Sequence, residues 1–171
     1  FSDTVAFGGY SFSPTLTSNS GSTDIFIAKL NNTGSWIWAE KAGESASDNG
    51  LGIDTDSNGD IIVTGYFNGN VEFGEAGHLT SIGDDVFVAK LDSSGTWLWA
   101  VKAGGTNTSS ITRDVGASLT IDSNGDIYVT GDFSETAYFD TIGITSSGLE
   151  DIFIAKLSSG GSWLWAVKAG G

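Results

Sequence analysis

The stretch Asp85-Val-Phe-Val-Ala-Lys-Leu91, followed by a five-residue polar loop and Trp97-Leu-Trp-Ala-Val-Lys-Ala-Gly104, decides the fold because the chain writes it three times. The earlier copy runs from Asp24 to Leu30 and from Trp36 to Gly43, the later one from Asp151 to Leu157 and from Trp163 to Gly170. Working outward, a second block, Asp56-Ser-Asn-Gly-Asp-Ile-Ile-Val-Thr-Gly65, returns as Asp122-Ser-Asn-Gly-Asp-Ile-Tyr-Val-Thr-Gly131. Phe1, Phe67 and Phe133 stand at matching places, 66 residues apart. Length differences between copies fall in Ser/Thr/Gly/Asn-rich stretches, after Phe7 and after Lys41, and spare the apolar blocks. The variable stretches are therefore loops and the apolar blocks are the structural elements. A fixed long period marks one supersecondary unit that buries its apolar faces by stacking on copies of itself.

Those blocks read as strands. Alternation sets Ile25 and Ile27 against Phe26, Ala28 and Leu30, and it sets Trp97, Trp99 and Val101 against Leu98 and Ala100. Both faces are apolar, so the sheets are covered on both sides. Runs of Ile, Val, Phe, Trp and Thr favour strands, and no segment reads as a helix. The loops Asn31 to Ser35, Asp92 to Thr96 and Ser158 to Ser162 each carry glycine at the fourth place, Gly34, Gly95 and Gly161, where a left-handed residue closes a hairpin. Four principal strands per repeat follow, at Gly50–Thr55, Asp60–Phe67, Asp85–Leu91 and Thr96–Ala103, with an extra small hairpin around Phe73 and Leu79. The predicted fold class is all-β, with four-stranded antiparallel blades of the β-propeller type. The units are a partial blade over 1–47, a blade over 48–113 and a blade over 114–171.

Three motifs also carry a likeness: Asp122 to Gly131, Asp151 to Leu157, and Gly161-Ser-Trp-Leu-Trp-Ala-Val-Lys-Ala-Gly-Gly171. Together they resemble the bacterial and archaeal β-propeller repeat of large secreted and cell-surface proteins, in register over nearly the whole chain. The resemblance implies an extracellular or cell-surface setting, a binding or structural role, and no catalytic residues to carry over. Propellers close at about four to eight blades, whereas this chain opens inside a repeat and holds two full ones. Three arrangements stay open: an excerpt of a longer chain, ring closure by self-association, and an open stack. In each, the partner of the end repeats is further blades or neighbouring copies.

Composition narrows the function. Seven Lys and Arg stand against 21 Asp and Glu, for a net charge of −14. Such a field repels phosphate backbones and anionic lipid, so nucleic acid is not an expected partner. No apolar run is long enough for a membrane-spanning helix, and membrane insertion is not expected either. With no cysteine there are no disulfides, thiolate metal sites or thiol nucleophiles. N-x-[ST] triplets occur at Asn31 and Asn107, a pattern that also arises by chance in so Asn- and Ser-rich a chain.

Three candidate sites emerge. The pairs Trp36/Trp38, Trp97/Trp99 and Trp163/Trp165 hold all six tryptophans. One exposed pair per blade would make a multivalent glycan-binding surface, while the competing reading uses the indoles to fill the space between blades. Asp54, Asp56, Asn58 and Asp60 imitate the opening of a calcium loop, oxygens at alternate positions with Gly59 at the bend. The imitation breaks down later: Gly65 stands where a bidentate Glu is needed, Ile62 where the propeller hairpin variant needs Asp, and Thr120 replaces the first ligand in the next copy. A plain hairpin is the competing reading. Lys29, Lys90 and Lys156, with Lys41, Lys102 and Lys168, recur within apolar strands and should reach water or pair with acids such as Asp24, Asp85 and Asp151.

These residues do not assemble readily into an enzyme. His78 is the single histidine and sits in the variable hairpin. Asp92-Ser-Ser-Gly-Thr-Trp97 resembles the turn motif of sialidase propellers, but that turn carries no chemistry. Arg113, the single arginine, cannot form the carboxylate-holding cluster of such enzymes. The leading expectation is a non-enzymatic structural or protein-interaction module without a cofactor. The alternative is a carbohydrate-binding propeller assisted by calcium, and it requires exposed indoles beside polar groups.

Overall fold

The computed structural model describes residues 1–8, 14–19, 21–105 and 113–171. The central repeat is a four-stranded antiparallel sheet of β5 (Asn49–Thr55), β6 (Ile61–Glu72), β7 (His78–Leu91) and β8 (Trp97–Ala103), in sequence order. The third repeat forms an equivalent sheet from β9 (Val115–Ile121), β10 (Ile127–Phe133), β13 (Asp151–Leu157) and β14 (Trp163–Ala169). The matching sheet of the first repeat consists, among the described residues, of β3 (Ile25–Leu30) and β4 (Trp36–Ala42). The chain is all-β, built of propeller-type blades. Among the described residues the one helical element is a single 3-10 turn at Gly74–Ala76.

The extra hairpin takes two forms. It is separate in the first repeat, β1 (Thr4–Ala6) with β2 (Thr15–Thr17), and in the third, β11 (Thr136–Phe139) with β12 (Ile142–Thr145). In the central repeat β6 and β7 simply run on into it, with a register shift at Asn68/Asn70.

The apolar strand faces interlock. Ile25, Ile27 and Trp38 of the first repeat pack on Ile61, Val63, Phe67, Phe73, Phe87, Leu91 and Trp97 of the second. The other face of the second repeat, Ile62, Val86 and Val88, packs on Ile127, Val129, Phe133, Phe153 and Leu157 of the third. Phe67, Phe73, Phe87, Phe133, Phe139 and Phe153 are wholly enclosed, and burying each contributes on the order of 2 to 3 kcal/mol. Among the described residues, the outer faces of the first and third repeats keep apolar side chains exposed. Val86 and Val88 are 1% and 0% exposed, whereas their counterparts Ile152 and Ile154 are 56% and 47% exposed.

One expectation is corrected. The tryptophans of a pair do not share a face. In each repeat a bulge sits between the lysine and the leucine of the inner partner strand, so that Leu91 pairs with Trp97 while Lys90 pairs with Trp99. The same shift occurs at Lys29/Leu30 and Lys156/Leu157. An extra residue in one strand of a pair turns the residues beyond it to the opposite face. Trp97 therefore joins Phe73 and Phe87, and Trp99 packs with Val86 and Val88. The bulged residue itself, Ile37, Leu98 or Leu164, is left facing outward at 45%, 47% and 48% exposure.

Candidate functional site

The six indoles divide into two kinds. The first of each pair stands edge-on to a phenylalanine of its own repeat: Trp36 to Phe7 at 4.9 Å, Trp97 to Phe73 at 5.0 Å, Trp163 to Phe139 at 4.9 Å. These are the T-shaped contacts that favour aromatic pairs. The second reaches forward onto the turn glycine of the following repeat. Around Trp38 and Trp99 the fit is close: a Cβ added at Gly95 would lie 3.0 Å from Trp38 Cδ2, and one at Gly161 would lie 3.0 Å from Trp99 Cδ2. Trp38 Nε1 also donates to Ser93 O at 3.3 Å. Trp165, in the last of the three repeats, is 38% exposed and edge-on to Tyr128 at 6.0 Å.

The residues expected to open a calcium loop lie in a hairpin turn, and two of them gather around a lysine. Asp56 Oδ1 accepts from the backbone N–H groups of Asn58 at 2.8 Å and Asp60 at 3.0 Å, closing the turn. The carboxylates of Asp56 and Asp60 converge on Lys90 Nζ at 2.8 and 3.0 Å. Asp54 lies apart, accepting from Thr55 N at 2.8 Å and from Ile121 N of the next repeat at 3.2 Å. Asn58 is exposed at the tip. The third repeat repeats the arrangement, with Lys156 Nζ 2.7 Å from Asp126 and 3.8 Å from Asp122. Burial works to raise the Asp56 carboxyl, but the Lys90 hydrogen bond and the turn N–H groups outweigh it and hold it below its ordinary value. Burial likewise works against the Lys90 ammonium, and its two carboxylate partners raise it on balance. The carboxylates of Asp56 and Asp60 thus have a buried ammonium as their charge partner.

The second lysine series behaves as the sequence suggests. Lys41, Lys102 and Lys168 lie 3.6, 2.8 and 3.2 Å from Asp24, Asp85 and Asp151. Two of these lysines also tie the outer strand to the small hairpin: Lys41 donates to Thr17 O at 2.8 Å and Lys102 to Thr80 O at 2.7 Å. Lys29 donates to Ser93 O of the neighbouring repeat at 2.8 Å.

Sequence reading missed two buried acids at the seams between repeats. Asp48 and Asp114 are 0% and 4% exposed. Their backbone N–H groups donate to Thr23 O at 2.7 Å and Asp84 O at 2.8 Å, fastening each repeat to the one before. Asp114 accepts from Ser134 N at 3.0 Å and Gly105 N at 2.9 Å, Asp48 from Asn68 N at 3.3 Å. Burial pushes Asp48 up to about 7 and Asp114 to about 6, and the nearby carboxylates of Asp24 and Asp85 respectively add to it. The signal was present, since an aspartate precedes the first strand of both full repeats.

The remaining candidates stay apart. His78 is exposed at the start of β7, and Arg113 lies 3.8 Å from Asp132. Asp92 Oδ1 closes its own turn with Ser94 N at 2.8 Å and Thr96 N at 2.9 Å. Asn31 closes the matching turn, its Oδ1 accepting from Thr33 N at 3.0 Å, while Asn107 lies outside the described residues. A cleft of about 650 Å³ lies between the second and third repeats; its charged lining is Lys102 and Asp140, beside Tyr138 and Trp163. Among the described residues no three His, Asp or Glu side chains converge as a metal site, and no helix is long and apolar enough to cross a membrane.

No protein-family model matches the chain. It is similar to the uncharacterized WD repeat-containing protein L264 of Acanthamoeba polyphaga mimivirus, 27% identical over 160 residues covering 75% of this chain and 11% of that protein. It is also similar to the regulatory protein FlaEY of Caulobacter vibrioides, 26% identical over 146 residues covering 83% of this chain and 15% of that protein. The chain thus spans a small fraction of the length of the relatives it matches. A WD-repeat-like similarity agrees with the four-stranded blades of the structure.

Proposed function

We propose that this chain is a blade segment of a propeller repeat protein and serves as a non-enzymatic, protein-binding scaffold, in an extracellular or cell-surface setting. The observation that carries the binding role is the row of Ile37, Leu98 and Leu164. Each is an outward-facing apolar side chain on the outermost strand, at 45%, 47% and 48% exposure, in all three repeats. Blade packing needs none of them, because the neighbouring blade lies against the sheet faces. A repeated apolar row among polar groups suits a protein surface, with loops adding specificity. The WD-repeat name of one relative supports an interaction role. The surface setting rests on the resemblance of the repeat motifs to secreted and cell-surface proteins.

The proposal assigns no catalytic residues, because the acids serve as turn caps, seam ties and lysine partners. It assigns no calcium to Asp54, Asp56, Asn58 and Asp60, since Lys90 already neutralises two of them. Glycan binding has one observation in its favour, the exposed Trp165 beside Tyr128. Against it, the matching Trp38 and Trp99 are covered by a following repeat. The test is affinity capture from the surface fraction of the source cells, with the native chain and an Ile37→Ser/Leu98→Ser/Leu164→Ser variant of unchanged circular dichroism. A protein partner lost with the variant supports the proposal. Equal capture by both, or elution of the native chain's ligands by free sugars, overturns it.

A further inference from the structure

The cleft between the second and third repeats is walled by two complete four-stranded units. β8 supplies one wall, with Lys102, while the small hairpin of the third repeat and the start of β14 supply the other, with Tyr138, Asp140 and Trp163. The hairpin is clamped to β8 across the seam. Tyr138 N donates to Gly104 O at 2.9 Å and Gly104 N donates to Tyr138 O at 3.1 Å. Trp163 Nε1 donates to Lys102 O at 3.1 Å, so both walls are fixed relative to each other.

The second and third repeats differ at the hairpin tip. Phe73 and Phe139 stand at the same place, each edge-on to the first tryptophan of its repeat. After Phe73 the chain makes the 3-10 turn Gly74–Ala76; Ala76 packs on the core, and a Cβ built at Gly74 would meet Trp97 Cδ1 at 3.1 Å. Trp97 is thereby covered, at 6% exposure. After Phe139 only Asp140 and Thr141 come before β12, and Trp163 stays half-buried. Tyr138 stands where the second repeat has Glu72. Its ring lies against its cross-strand neighbour Gly143, where an added Cβ would meet Tyr138 Cε1 at 3.1 Å, and the residue is 53% exposed. A ring braced by glycine on one side offers its other face to a ligand. Asp140 stands where the second repeat has Gly74; it is exposed and, among the described residues, has no ion-pair partner. The Lys102 ammonium, by contrast, is already held by Asp85 and by Thr80 O.

We propose that this cleft receives an arginine side chain of the protein that the scaffold binds, its guanidinium stacked on Tyr138 beside Trp163 and paired with Asp140. An aromatic face attracts a cation, the more so when the cation is partly withdrawn from water. A guanidinium both stacks on a ring and pairs with a carboxylate through two parallel hydrogen bonds. A neutral sugar would gain the stacking and leave the Asp140 charge unmatched. The net charge of −14 also draws a cationic partner toward the cleft. Leu98 of the outer apolar row lies on β8 two residues before Ala100, which lines the cleft, so one partner can cover both. This deepens the protein-binding reading and rests on it.

The probe is the peptide acetyl-Gly-Gly-Arg-Gly-Gly-amide, titrated into the nitrogen-15-labelled 171-residue chain and followed by the six indole N–H resonances. The Trp163 resonance, identified with Trp163→Phe, should move saturably with a Kd below about 5 mM while that of Trp97 stays in place. Citrulline in place of the arginine keeps the shape and removes the charge, and should weaken binding by at least about tenfold. Asp140→Asn, a residue that tolerates the same left-handed backbone at φ +57°, and Tyr138→Leu should each weaken it by about fivefold with circular dichroism unchanged. No saturable shift at Trp163 overturns the proposal, as does equal binding of the citrulline peptide or indifference to Asp140→Asn. A Trp163 response to cellobiose with none to the peptide overturns it in favour of a glycan site. If the peptide fails while the Ile37/Leu98/Leu164 variant still loses its partner, the cleft assignment is wrong and the scaffold stands; if the peptide binds while that variant captures as the native chain does, the cleft stands and the apolar row falls.

Discussion

Replacing the turn glycines by alanine would measure what one blade does to the next. Gly34, Gly95 and Gly161 occupy the same place in the same five-residue turn, with φ of +79, +96 and +84°. Alanine in this left-handed region costs roughly 1 kcal/mol wherever it is placed. The surroundings differ. Nothing lies within 4 Å of a Cβ built at Gly34, whereas one at Gly161 meets Trp99 Cδ2 and Cε3 at 3.0 Å and one at Gly95 meets Trp38 Cδ2 at 3.0 Å. The indole must then retreat by a few tenths of an ångström into a packed seam, and overpacking of that kind adds about 1 to 3 kcal/mol. Gly34→Ala should therefore cost roughly 1 kcal/mol, and Gly95→Ala and Gly161→Ala about 2 to 4. Urea unfolding followed by circular dichroism and tryptophan emission reads the difference in midpoint, and the slopes show whether the array still unfolds as one unit. In a double-mutant cycle, Trp99→Leu should remove most of the extra cost at Gly161 and none at Gly34. Equal damage at all three glycines would refute the claim that the second indole of each pair is an inter-blade contact.

The other tryptophan series should behave differently. Trp97→Ala should cost about 3 to 5 kcal/mol. Trp97→Phe should be milder than Trp163→Phe, because Trp97 Nε1 is buried without a partner whereas Trp163 Nε1 donates to Lys102 O at 3.1 Å. Urea midpoints of the two variants give the order, and the opposite order would discount that hydrogen bond. Stability should fall as pH rises from about 4 to about 7. In the unfolded chain Asp48 and Asp114 ionise near 3.8, but in the fold they keep their protons up to about 7 and about 6, so the unfolded state binds fewer protons across that window. Asp56 and Asp122, held low in the fold, act with the opposite sign below about pH 4. Denaturation midpoints should thus be higher at pH 5 than at pH 7.5, with a smaller drop in Asp48→Asn; a flat or rising profile would contradict the seam assignment. Millimolar calcium should leave the melting temperature of the native chain unchanged and raise that of Lys90→Met, in which Asp56 and Asp60 lose their ammonium; stabilisation of the native chain would support the calcium reading.

Much of the fold was legible because it is written as repetition. The spacing of Phe1, Phe67 and Phe133 fixed the unit, and two-faced alternation in Ile25 to Leu30 required sheets covered on both sides. The tryptophan faces were misread for a definite reason. Alternation counts residues, and the bulge at Leu98 adds one that makes no cross-strand pair, so Trp97 and Trp99 look out from opposite faces although they are two apart. The acids of the Asp56 to Asp60 turn have the spacing of a cation loop, and only the pairing of β6 with β7 brings Lys90 beside them, 34 residues along the chain. Spacing records what is near in sequence; the ligand came from across the sheet.

Asp85 and Asp151 mark where such reading ends. They sit in the same motif, lie beside the same strand pair and hold equivalent lysines, Lys102 at 2.8 Å and Lys168 at 3.2 Å. Burial raises the Asp85 carboxyl in spite of its lysine, with Asp84 adding to the effect. A backbone hydrogen bond from Ser147, helped by Lys168, lowers the Asp151 carboxyl. What differs is the neighbour: the third repeat closes over the Asp85 seam, where Gly105 and Asp114 meet, while the equivalent side of the third repeat is an open face. In a stack of like units, the chemistry of a residue therefore belongs to the interface it enters as much as to the motif that carries it. The same rule leaves Phe26 48% exposed while Phe87 and Phe153, at the same place in the same motif, are wholly buried against a neighbouring repeat.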